Sequence, residues 1–305
     1  MPTPVNQTVS STSCPACTAT DARFKFEREG YRYYLCRQCR CLFVDLQLAD
    51  NLVHEHYNKD YYEGDESAAE GRKGYPSYRA GQATLSDCFT NKLQIIRRYL
   101  TKGKILDAGA AYGFFLKTAA PDFDGVGLEV SAYAAEVART EFQTDVRVGD
   151  IEKTDFADAS FEAVMMWDII EHLIRPVHAL REVQRILKPG GYLFVSTDDA
   201  ANWLPRMLGR RWWAMAPPMH LCHFSKQGIG ASAALAGLER PVFFPDVRRY
   251  TIPEIIRHFG VSYKSSLLTS TGNALDRTWL HSWALKVTRP EQFVAVLRKP
   301  PKDNS

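Results

Sequence analysis

The 305-residue sequence contains no apolar run near the length of about 18 residues that a membrane-spanning helix needs, so no membrane insertion is expected. Its first residues, M-P-T-P-V-N-Q-T-V-S-S-T-S, lack both the basic and the apolar segments of a secretory leader, and a cytoplasmic location is expected. There is no excess of charge: 38 Lys and Arg against 35 Asp and Glu leave a net charge of +3, too small for a nucleic-acid footprint, and no such partner is expected. Internal repeats and low-complexity tracts are absent, which excludes solenoids and fibres. No motif fixes an oligomeric state. The seven cysteines do not spread as a disulfide framework would, because five of them lie between positions 14 and 41. What remains is 45% hydrophobic and 24% charged, a globular composition.

Five segments follow from the pattern along the chain: a disordered stretch over 1–13, a Cys-rich head over 14–44, a linker or lid over 45–80, an α/β core over 81–240 and a C-terminal extension over 241–305. In the head, C-P-A-C (Cys14, Cys17) and C-R-Q-C (Cys36, Cys39) are two C-x2-C knuckles separated by 18 residues. A short hairpin can bring four such thiolates tetrahedrally onto zinc, and a closed four-sulfur shell makes that zinc structural. Four unligated core cysteines are the alternative. Cys41, Cys88 and Cys222 have no paired spacing and read as small apolar residues.

From residue 81, Leu85, Phe89, Leu93, Ile96 and Leu100 recur at helical spacing, and Gly103 ends that helix. Short apolar runs follow at 104–108, 126–129, 146–148, 161–167 and 191–196, alternating with helical stretches. That alternation predicts a doubly wound α/β sheet covered on both faces. The first run enters a small-residue turn in K-I-L-D-A-G-A-A-Y-G-F-F-L, where Gly109, Ala111 and Gly113 let a ligand approach the backbone. Glu129 follows Asp107 by 22 residues at the end of the next strand, where a carboxylate can hold both hydroxyls of a ribose.

With these motifs the sequence resembles the class I S-adenosylmethionine-dependent methyltransferases over about residues 90–230. D-A-G-A-A-Y-G is similar to their D-x-G-x-G-x-G loop, G-L-E-V-S to the ribose acid, G-D-I to the adenine contact, and R-I-L-K-P-G-G-Y-L-F-V-S to the turn before the fifth strand. The resemblance implies a Rossmann-like fold and S-adenosylmethionine held by Asp107, Gly109, Ala111, Gly113, Glu129, Val130, Asp150, Ile151, Trp167 and Asp168. Ala111 departs from the pattern, where the family has Gly, and its methyl narrows the turn. A dehydrogenase would instead show G-x-G-x-x-G.

W-D-I-I-E-H places Asp168, Glu171 and His172 at the end of the fourth strand, at a spacing that puts all three on one helical face. His172 is the expected general base, since an imidazole near its usual pKa can take a proton from a hydroxyl or amine. Two other readings stay open. Metal-dependent relatives carry E-x-x-E-H, which implies Mg or Mn at Glu171 and His172, with Asp168 a shorter arm; alternatively Glu171 and His172 only orient the helix. P-P-M-H-L-C-H-F-S adds His220 and His223, each able to reach a substrate or complete a metal shell. The stretch from Trp203 to Pro218, with three Trp and three Pro, reads as an irregular insertion over the sheet edge.

The expected activity is methyl transfer to a small-molecule oxygen or nitrogen, in secondary or surface-glycan metabolism. His54, His56, Tyr57 and Tyr61 of the linker are expected to close over the substrate side. A zinc head before this core also resembles deoxysugar C-methyltransferases, which carry a further α/β domain for which residues 241–305 are too few. A different class, a cofactor-binding scaffold whose head is a docking module, is the remaining alternative.

Overall fold

The computed structural model describes residues 13–45, 57, 59–63, 78–79, 82–263, 265–279 and 284–302. His54, His56 and most of the expected linker lie outside the described residues, as do 1–12 of the expected disordered N-terminus. The head is a meander of β1 (Ala22–Arg28), β2 (Tyr31–Cys36) and β3 (Leu42–Val44). Next come the short α1 (Lys59–Glu63) and α2 (Gln82–Ile96), the latter from the expected helical stripe. Alternation then begins, with β4 (Gly103–Ala108), α3 (Phe114–Ala119), β5 (Phe123–Glu129), α4 (Ala132–Thr140), β6 (Val146–Val148), β7 (Phe161–Trp167), α5 (Pro176–Ile186) and β8 (Leu187–Asp198).

After β8 the chain forms α6 (Trp203–Leu208), β9 (Cys222–His223), α7 (Lys226–Leu235), β10 (Val242–Thr251), α8 (Ile252–Ser262), α9 (Ser266–Leu275) and β11 (Ala284–Arg298). The main sheet has the order β10-β11-β8-β7-β4-β5-β6. Strands β4 to β8 are mutually parallel, while β11 runs antiparallel to both β8 and β10. Residues 241–305, expected as an extension, thus supply the two strands that complete this sheet. The strand order reverses between β4 and β7, and in an open α/β sheet ligands bind at the carboxyl ends of strands at such a point.

Alternate residues of the buried strands feed two layers, as a two-residue period requires. Ile105, Ala163 and Met165 face α2, α3 and α4, whereas Leu106, Val164 and Met166 face α5 and α7. K-P-G-G, expected as a turn ahead of the strand, is a bulge within it. Phe161 pairs with Leu187 and Ala163 with Tyr192, so β8 carries extra residues there, and Gly190 takes the left-handed conformation with φ 79°.

The head is not a separate ball. Its cysteines share one apolar cluster with α5 and α7, and β9 joins its sheet by pairing with β3, Leu42 opposite His223 and Phe43 opposite Cys222. The insertion packs chiefly on this small sheet rather than over the edge of the large one. Trp212 is fully buried there among Tyr33, Leu42, Val44 and Met215, and Arg28 Nη1 donates to the Arg210 and Trp212 carbonyls at 2.9 and 3.0 Å. Burying an indole outweighs any preference for an exposed loop.

Candidate active site

Three left-handed residues shape the turn after β4: Gly109 (φ 77°), Ala111 (φ 47°) and Gly113 (φ 76°). A Cβ on Gly109 would overlap the Ile169 side chain, so the strand-end turn can pack only with glycine there. Ala111 bears a cost of about 1–2 kcal/mol for this conformation. Its N–H is placed by the same geometry to donate to Glu129 Oε2 at 2.9 Å. Glu129 Oε1 accepts from the Ser131 N–H at 2.9 Å and the Tyr62 hydroxyl at 3.2 Å. Burial raises the Glu129 pKa, and the N–H donors from Ser131 and Ala111 counter it.

Glu129 stands on the wall of a cavity of about 470 Å³, within the size range of small-molecule sites. Gly109, Ala111, Val130, Asp150 and Ile151 also line it, as do Tyr57, Tyr61, Tyr62 and Tyr78. Asp150 turns the backbone after β6, accepting from the Glu152 N–H at 2.8 Å. Asp107 and Gly113 do not line the cavity; Asp107 is buried, and that burial holds its carboxyl well above the usual range.

Trp167 and Asp168 form the floor. Asp168 is left-handed (φ 55°), and its Oδ1 accepts from Ser196 Oγ at 3.0 Å while Oδ2 accepts from Arg248 at 2.6 Å. Arg248 also binds Asp246 at 2.8 Å. Lys92 of α2 donates to Ser196 Oγ at 2.9 Å, lies 3.9 Å from Asp168 Oδ2 and sits over the Trp167 ring at 4.6 Å. Burial alone would raise the Asp168 pKa, but the charges of Arg248 and Lys92 outweigh it and hold the carboxylate ionised. Lys92 and Arg248 were missed by sequence reasoning. For Lys92 a signal existed: it lies seven residues after Leu85 and three after Phe89, on the apolar stripe, where an amine is buried only with partners.

Glu171 and His172 belong to a 3₁₀ turn, Ile170–His172, that starts after the left-handed Asp168, so the three side chains do not share one helical face. Asp168 is committed to Arg248 and Ser196. Glu171 and His172 come together with His220 instead, one ligand atom of each lying within 4.8 Å of the others, and Asp168 stands outside that set. Glu171 accepts from Thr197 Oγ1 at 2.9 Å; burial, with Asp168 and Asp198 nearby, holds it well above the ordinary carboxyl range. His172 Nδ1 lies 2.9 Å from the Met219 carbonyl, which requires the proton on Nδ1 and leaves Nε2 as an acceptor. Burial lowers the His172 pKa, so the ring is neutral near pH 7.

Glu171, His172 and His220 line the cavity. His172 and His220 meet edge to face with ring centres 4.7 Å apart. His223 does not line it: held in β9, it is fully buried beside Trp212 and Tyr33.

At the head, Cys14, Cys17, Cys36 and Cys39 have all their sulfurs within 4.8 Å of one another. Both knuckles close in the same way. Thr18 N–H donates to the Cys14 carbonyl and Arg40 N–H to the Cys36 carbonyl, at 2.8 and 3.0 Å, with Thr18 and Arg40 left-handed (φ 61° and 64°). The shortest sulfur pairs are 3.5 Å apart, a fit to the edge of a zinc tetrahedron with Zn–S bonds of about 2.3 Å.

A family profile described as "Methyltransferase domain" matches residues 83–240. The chain belongs to the methyltransferase-domain family. The match runs from α2 through α7 and includes the turn after β4 and Glu129. Among curated proteins, the chain is 30% identical over 152 residues to a malonyl-[acyl-carrier protein] O-methyltransferase of Erwinia pyrifoliae, covering 47% of this chain and 57% of that protein. It is 28% identical over 115 residues to a ubiquinone biosynthesis O-methyltransferase of Pectobacterium carotovorum, covering 35% and 48%. The chain thus spans about half the length of the curated relatives it matches. A solved methyltransferase from Archaeoglobus fulgidus superposes with TM-score 0.50 at 12% identity, covering 73% of this chain and 99% of the other, which shows a shared fold. No helix among the described residues is long and apolar enough to cross a membrane.

Proposed function

We propose that this methyltransferase-domain protein moves a methyl group from S-adenosylmethionine to an oxygen or nitrogen of a small molecule, with His172 as general base and a structural zinc at Cys14, Cys17, Cys36 and Cys39. The observation that carries the reading is one cavity whose wall includes Glu129, His172 and His220. A buried carboxylate oriented by two backbone N–H groups, with Ala111 and Gly109 at its side, fits a ribose. The cofactor supplies a methyl already activated on a sulfonium. The protein's work is then orientation and proton removal.

Asp168, ionised among Lys92, Ser196 and Arg248, provides charges of both signs at the floor, which suits the ammonium and carboxylate of an amino-acid end. His172 Nε2 takes the proton from the acceptor hydroxyl or amine as its lone pair attacks, and Nδ1–H bonded to Met219 keeps that nitrogen aimed. His220 lines the same cavity. Phenols, sugars and amines are the acceptor classes to screen, in secondary or surface-glycan metabolism.

His172→Ala should lower turnover on the order of 10²-fold, read by mass shift of the methylated acceptor, with S-adenosylhomocysteine affinity unchanged. A near-normal rate would remove His172 from the chemistry.

A further inference from the structure

His223 is an anomaly that methyl transfer does not use. It is fully buried, and among the described residues neither ring nitrogen has a hydrogen-bond partner; Nδ1 of His220 is also buried without one. Leaving a buried polar atom unsatisfied is costly, so three in neighbouring rings point to a ligand that would satisfy them. The rings are 5.7 Å apart, and Asp198 completes the group: one ligand atom from each of Asp198, His220 and His223 lies within 4.8 Å of the others. Ligands about 2.1 Å from a common ion stand up to about 4.2 Å apart, so a small side-chain movement closes the set.

We infer that Asp198, His220 and His223 form a second metal site, distinct from the four cysteines, that takes a divalent first-row transition ion. Two imidazoles with one carboxylate suit Zn²⁺, Mn²⁺, Fe²⁺ or Co²⁺, whereas Mg²⁺ prefers an all-oxygen shell. Both histidines are held neutral, the ligand form: burial and neighbouring histidines keep His220 well below its ordinary pKa, and burial brings His223 to about 3. Burial raises Asp198 to about 6, so it is mostly ionised at pH 7. Gln292 donates to Asp198 Oδ1 at 2.9 Å, the kind of outer contact that orients a metal carboxylate.

The neighbouring triplet of Glu171, His172 and His220 shares His220 with this set, but His172 Nδ1 and Glu171 already have partners in Met219 and Thr197, whereas among the described residues neither ring nitrogen of His223 has one, so it is the set with His223 that an ion would complete. Backbone pairing fixes the chosen ligands in place, since His223 sits in β9 opposite Leu42 and Asp198 ends β8 opposite Gln292. Asp198 and His220 line the cavity while His223 closes the set from behind.

The full-length, zinc-replete protein should be saturated with Co²⁺, freed of excess by gel filtration and assayed for total metal by plasma mass spectrometry. Two divalent ions per chain are expected in the wild type and one in both Asp198→Asn and His223→Leu. The second ion should bring ligand-field absorption without thiolate charge-transfer bands. Asp198→Asn, at the cavity wall, keeps the test valid if His223→Leu fails to fold. One ion or fewer in the wild type, or two in a folded variant, would overturn the assignment and leave the rings to buried water.

Discussion

Glu129 holds two things at once: it ties the left-handed Ala111 to the start of α4 through Ser131, and it presents oxygens to the cavity. The family's glycine position can therefore carry a methyl here, because the N–H contact helps to offset the strain of φ 47°. Glu171 makes the opposite kind of contribution. Burial, then Asp168 and Asp198, raise its pKa in the folded protein. A carboxyl whose folded pKa lies above its unfolded value of about 4.3 contributes stability below that value and loses it as pH rises toward the folded pKa. Raising pH from about 5 to about 9 should therefore lower the wild-type melting temperature more steeply than that of Glu171→Gln, which keeps the size and the acceptor for Thr197. Parallel melting curves would contradict the shift. The small-residue turn and the acid at the end of the next strand were legible at this scale because each is set by a short local segment. The bond between Asp168 and Arg248 was not, because it joins positions 80 apart that only the sheet brings together.

At the scale of elements, what could be read depended on whether a segment's burial is two-sided. The strands β4, β5, β7 and β8 each contain a short, largely buried apolar run and were legible by it, as was α2 from its stripe. β10 and β11 carry Arg248 and Arg289 among apolar residues and pair across two intervening helices, so no local pattern marks them. A strand as short as β9 has no sequence signal; it exists because β3 offers it an edge and because Val44 N–H donates to the Leu221 carbonyl at 2.9 Å. The docking of α7 on the cysteine knuckles gives a test of this layer. A Cβ on Gly228 would overlap Cys41 Sγ, and Ser232 Oγ donates to the Ala16 carbonyl at 2.7 Å on the same contact. Gly→Ala in a helix ordinarily stabilises by about 0.5–1 kcal/mol. Here Gly228→Ala should instead destabilise by about 1–3 kcal/mol in urea unfolding, because the packed contact must open. A stabilised variant would show that α7 does not bear on the head.

The whole molecule is a seven-stranded sheet whose switch point, between β4 and β7, gathers the wall of one cavity. One face of the sheet is closed by α2, α3 and α4, the other by α5, α7 and the head. The head's fourth strand is β9, which begins two residues after His220, and the intervening Leu221 N–H donates to the Glu171 carbonyl at 2.8 Å, so the cysteine module is continuous with the histidine wall of the cavity. The composition and motifs carried the fold class to this scale, but not the full wall of the cavity, which also draws on Lys92, Asp198, Trp213, Arg248 and Arg289 from stretches far apart in the chain. The central claim, that this cavity binds S-adenosylmethionine through Glu129, is tested most directly by titrating the protein calorimetrically with S-adenosylhomocysteine. Saturable one-to-one binding to the wild type, lost in a folded Glu129→Ala, is the expected result; no binding to the folded wild type, or undiminished binding to the variant, would contradict it.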